Sequence, residues 1–131
     1  MNDLLVSWLE NCLNDHQSTV TDSIHLEATI DQHLGPSWAF AFGKVFILPA
    51  TRLEFSDDPV AMDAGCPESY VRSLKFGILD ALFCDDRWPR LAVKIAVQSV
   101  TCDPIDSSVL AFRRAGRKIG AQLIELPRKL L

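Results

Sequence analysis

The sequence lacks a phosphate-binding loop of the form GxxxxGK[ST], any CxxC pair and any His/Cys spacing suited to zinc. Nucleotide-driven motor activity and a structural zinc site are excluded on those grounds. Long apolar runs are also missing. The longest, residues 38–48, is interrupted by Gly43 and Lys44 and is too short to span a bilayer. The first residues, Met1-Asn2-Asp3, are acidic rather than basic, and Glu10 breaks the apolar stretch behind them, so no signal peptide is expected. Cysteine is sparse. Cys12, Cys66, Cys84 and Cys102 lie far apart, which predicts free thiols in a reducing, cytoplasmic compartment. Histidine is scarcer still. His16, His25 and His33 have no Ser, Cys or metal partner at an informative spacing, so no catalytic group, metal or cofactor is expected.

What is present is globular. The chain has 131 residues, 48% hydrophobic and 23% charged, enough for one domain with a real core. The net charge of −4 conceals an asymmetry: residues 1–106 sum to −9 and residues 107–131 to +5. The basic excess includes Arg113, Arg114, Arg117 and Lys118 on one predicted helix. Such a cluster either binds an anionic partner such as RNA or is a solvated face that balances the rest of the molecule. The paired acids Asp57-Asp58 and Asp85-Asp86 have no EF-hand pattern and are read as solvated loop ends. Trp38 and Trp88 would stack on bases if exposed, and otherwise anchor loops or pack in the core.

Hydrophobic periodicity orders the chain. Leu4, Leu5, Trp8, Leu9, Cys12 and Leu13 recur at helical spacing and predict an amphipathic helix within residues 1–16. Its stripe must dock on the domain or on a second copy, since so short a helix is marginal alone. Ile24, Leu26, Ala28 and Ile30 alternate with polar residues, the period of a half-buried strand. Gly35-Pro36-Ser37 marks a turn. Residues 38–48 predict a strand apolar on both faces, closed by Pro49. Leu53 and Phe55 mark a short third strand, followed by a polar loop. Pro67 and Glu68 open a helix with Val71, Leu74, Ile78 and Leu82 on its buried side. Leu91, Val93, Ile95 and Val97 form a fourth strand. Asp106 or Ser107 is expected to cap a last helix that buries Val109, Phe112, Ala115 or Gly116, Ile119 and Leu123 and ends at Pro127.

The expected fold is α+β, a four-stranded sheet with two helices on one face plus an extra N-terminal helix. Residues 1–131 form a single domain, with the core over 22–126.

Asp103-Pro104-Ile105-Asp106-Ser107-Ser108-Val109-Leu110-Ala111-Phe112-Arg113-Arg114-Ala115-Gly116 resembles a loop-to-helix signature, V-D-S-S-E-x-A-F-x-x-A-G, of one family. That family is domain IV of elongation factor G and related translational GTPases. Pro67-Glu68-Ser69-Tyr70-Val71 is similar to the P-x-E-Y-I start of the family's first helix, and the segment from Gly35 through Trp38 to Pro49 resembles its glycine-rich loop and following strand. The resemblance covers about residues 35–126. It implies a sheet with two helices on one face and a left-handed β-α-β crossover, against the usual right-handed rule. It also implies a non-catalytic module facing the ribosome, RNA or a translation-related protein through two tip loops. In this sequence those loops hold Gly35, Pro36, Ser37 and Trp38, and Asp103 and Pro104, with Asp103 standing where the family's tip histidine falls. The alternative is a protein-interaction or self-assembly module, with a homo-oligomer formed through Leu4, Leu5, Trp8 and Leu9.

Overall fold

The computed structural model describes residues 23–34, 37–62, 65–84 and 92–130. β1 (Ile24–Leu34) and β2 (Ser37–Pro49) pair as an antiparallel hairpin, from Ile24 opposite Ile47 to Leu34 opposite Ser37. Side chains alternate across a strand. Leu26, Ala28 and Ile30 of β1 therefore share a face with Ala39, Ala41, Val45 and Ile47 of β2, and all seven are buried. β5 (Val93–Thr101) pairs antiparallel with the other side of β2. Val45 faces Val97 whereas Lys44 faces Ser99, so Gln98 is an extra residue in the ladder. This bulge shifts the buried positions of β5 from Val93, Ile95 and Val97 to Val100.

The far edge of β5 carries two fragments instead of one strand. β3 (Glu54–Phe55) pairs parallel with Lys94 and Ile95, and β4 (Ala61–Met62) pairs parallel with Ser99 and Val100. Among the described residues the sheet thus has five strands in four rows, ordered β1-β2-β5-β3, with β4 continuing the last row. β4 follows what the sequence presents as a polar loop. Two residues are too few to show a period, so the pairing is set by β5 alone.

α1 (Glu68–Phe83) follows Pro67, and α2 (Val109–Leu130) follows the loop after β5. Val71, Leu74, Ile78 and Leu82 of α1 meet Phe112, Ala115, Ile119 and Leu123 of α2 and the buried sheet face in one core. Phe112 is fully buried and stacks on Tyr70, ring centroids 4.6 Å apart. Truncating such a ring to alanine costs about 3–5 kcal/mol, so this side chain anchors α2. The two helices approach with backbones nearly touching. A Cβ at Gly77 would stand 2.0 Å from the Arg113 carbonyl oxygen.

Three local expectations are corrected. Val109 lies on the exposed side of α2, not in the buried stripe, because Ala111 and Phe112 are the residues that the first turn directs into the core. Ser108 caps α2: its Oγ accepts the Ala111 N–H at 3.1 Å, while Ser107 is drawn away to β2. The helix also runs past Pro127 to Leu130. Proline removes one N–H bond there but already holds a helical φ.

Both helices cover one face of the sheet. The other carries Phe40, Phe42, Phe46 and Leu48, all half-buried, with the His25 ring 3.8 Å from that of Phe46. The N-terminal helix expected over residues 1–16, with Leu4, Leu5, Trp8 and Leu9, lies outside the described residues. No described helix is long and apolar enough to cross a membrane.

Candidate functional site

The segment similar to the family signature forms a corner that ties three elements together. Ser107 Oγ donates to the Phe40 carbonyl oxygen at 2.7 Å and accepts the Asp103 N–H at 2.8 Å. The Phe40 N–H donates to the Asp106 carbonyl oxygen at 3.1 Å, which lays residues 103–107 beside the start of β2. Tyr70 of α1 donates its hydroxyl to the Ser107 carbonyl oxygen at 3.2 Å. Within the loop, Asp103 Oδ1 accepts the N–H groups of Ile105 at 2.8 Å and Asp106 at 2.9 Å. Those two donors, Asp106 first, hold the Asp103 carboxyl below its ordinary pKa by stabilising the charged form. Asp103 is therefore an internal brace for its loop. The motif's remaining small or apolar positions, Ala111, Phe112, Ala115 and Gly116, are spent on packing against α1 and the sheet.

Of the predicted tip residues, Asp103 and Pro104 lie in the loop that Phe40 holds beside the start of β2. Trp38 stands near the start of β2, two residues from Phe40. Its indole N–H donates to Asp31, and its ring meets His33 edge-on at 4.2 Å. Ser37 begins β2, and Gly35 and Pro36 lie outside the described residues. Pro104 and Ile105 are exposed at the outer side of the second loop, with Ile105 at 89%.

The predicted basic cluster is divided among different partners. Arg113 makes a two-pronged pair with Asp80 of α1, Nε to Oδ2 at 2.6 Å and Nη2 to Oδ1 at 2.9 Å. Arg117 Nε reaches the same Oδ2 at 3.3 Å. The Arg113 hydrogen bonds, aided by Arg117, hold the Asp80 carboxyl below its ordinary pKa, and Asp80 in turn raises that of Arg113. Lys118 Nζ donates to the Thr29 carbonyl oxygen at 3.3 Å, and Gln122 Nε2 to that of Glu27 at 2.9 Å. These side chains cap the outer edge of β1, which would otherwise offer unpaired carbonyls to another strand. Arg114 makes no ion pair among the described residues, and it is half-buried. Of the four cations, three have structural work within the domain.

One expectation is overturned. Cys66 and Cys102 form a disulfide, joining the approach to α1 with the end of β5. They are 36 residues apart, so the pairing depends on the crossover that brings those two loops together, which spacing does not reveal. Cys84 is free and exposed, and Cys12 lies outside the described residues. The expectation of a reducing compartment rested on unpaired thiols and loses that support. Sequence reading also missed Asp80 and the apolar exposure at the tip. Asp80 carries no motif, and its role arises only where α1 and α2 cross. Among the described residues, no three His, Cys, Asp or Glu side chains converge in a group suited to a metal ion.

The arrangement defines a two-layer α+β domain with a braced tip at the end where both helices begin. No protein-family model matches the chain. Its structure is similar to part of a protein from Thermus thermophilus, with a TM-score of 0.67 and 19% identity over 81% of this chain. The match spans 16% of that much longer protein. At this identity the likeness establishes the fold.

Proposed function

We propose that this chain is a non-catalytic binding module of the elongation factor G domain IV type, docking on the ribosome, on its RNA or on a translation factor. The observation that supports it best is the corner built from residues 103–116. The segment that resembles the family signature braces a loop at the end of the sheet, where a domain of this type would make its contacts. Because the motif residues are occupied internally, the contact itself falls to the side chains exposed on the tip. The wild-type chain should co-sediment with purified ribosomes at moderate salt. Its absence from the ribosomal pellet would remove the translational reading.

A second reading, a protein-interaction or self-assembly module, is favoured by the sheet face with Phe40, Phe42, Phe46 and Leu48, which neither described helix covers. Under that reading the chain sediments as a multimer without ribosomes, and a strictly monomeric mass excludes self-assembly.

A further inference from the structure

We infer that the tip is a docking knob for a protein surface, one that presents an apolar recess within basic surroundings, and that Ile105 enters the recess. This deepens the ribosome-binding reading and rests on it. Of the seven large apolar side chains exposed among the described residues, five belong to the tip end: Trp38, Met62, Ile105, Val109 and Leu110. Apolar exposure gathered in this way marks an interaction surface more than chance scatter does. The same segments, residues 31–34, 37–40, 61–62, 65–70 and 99–112, hold Asp31, Glu68, Asp103 and Asp106 and not one Lys or Arg. An acidic tip repels phosphate, so the electrostatic term that supplies most nucleic-acid affinity is missing. Aliphatic side chains also give bases no ring to stack on, and Trp38, the one aromatic among those five exposed apolar side chains, is held edge-on to His33 and bonded to Asp31. A basic protein surface has the complementary charge.

Ile105 is also preorganised. Its own N–H and that of Asp106 are held by Asp103, and the Asp106 carbonyl is held by β2. The loop therefore loses little freedom on binding, which favours a tight contact from a small area.

The test uses the full chain with purified ribosomes. A benzophenone photo-crosslinking side chain is introduced at position 105, and binding is measured in parallel for Ile105→Asp and for Arg114→Glu. Burying one Ile side chain is worth about tenfold or more in affinity. Ile105→Asp should therefore weaken binding at least about tenfold, with an unchanged melting temperature because the site is exposed. Arg114→Glu should bind like wild type. The crosslinked product should survive ribonuclease and be destroyed by protease. Crosslinks into ribosomal RNA, or full binding by Ile105→Asp, would overturn the protein knob while leaving the binding module intact. A wild-type chain that does not bind ribosomes at all would overturn both.

Discussion

A Cβ placed on Gly116 would stand 2.1 Å from the carbonyl oxygen of Leu74, a backbone atom that cannot swing aside. On an exposed helix, Gly→Ala gains about 1 kcal/mol from propensity. Here the collision forces α1 and α2 apart, and overpacking of a tight core costs about 1–3 kcal/mol or more. The collision wins, and Gly116→Ala should destabilise the domain by about 2 kcal/mol in a denaturant melt. A variant as stable as wild type, or more so, would show that the helices do not meet backbone to backbone.

Acid should unlock the tip brace and the α1–α2 pair together. Asp103 and Asp80 both have pKa values lowered from 3.8. The unfolded chain binds these protons more readily than the folded one, so their contribution is present above 3.8 and lost as pH falls through the lowered values. The melting temperature of wild type should fall as pH drops below about 4, and that of Asp80→Ala plus Asp103→Ala should fall less steeply over the same range. Parallel curves would mean that neither carboxylate is held in its charged form.

The Cys66–Cys102 bridge closes a loop with a sequence separation of 36. Constraining the unfolded chain over such a loop is worth about 3–4 kcal/mol on the chain-entropy argument. Cys66→Ala plus Cys102→Ala should lower stability by roughly that amount. Thiol titration of the denatured wild-type protein without reductant should find these two cysteines unreactive. Free thiols at both positions would contradict the bridge.

Periodicity carried most of the fold. The alternation in β1 and β5 and the helical stripes at Val71, Leu74, Ile78 and Leu82 and at Phe112, Ile119 and Leu123 are local patterns, and each is in place. What stayed hidden depends on contacts between distant segments. β4 has no pattern of its own, Cys66 meets Cys102 only through the crossover, and Asp80 gains its role only from Arg113 on another helix. Ser107 looks like a helix cap in sequence because Ser and Asp share that chemistry, and only the nearness of Phe40 assigns the cap to Ser108. The candidate site was half legible. The loop at Asp103 and Pro104 was read as a turn, but the exposed apolar character around it was not legible, since Val109 fits a buried stripe by spacing alone.

The salt dependence of ribosome binding tests the central claim most directly. Each phosphate contact made by a Lys or Arg contributes a slope of about −0.9 to log K against log salt on a duplex, and about −0.7 on a single strand. With no Lys or Arg in the described tip segments, and with Arg113, Arg117 and Lys118 already bonded within the domain, binding should release few counterions. The predicted result is a slope shallower than about −1, with binding that persists as salt rises. A slope of about −3 or steeper, made shallower by about 1 in Arg114→Glu, would contradict it and return the contact to the basic helix.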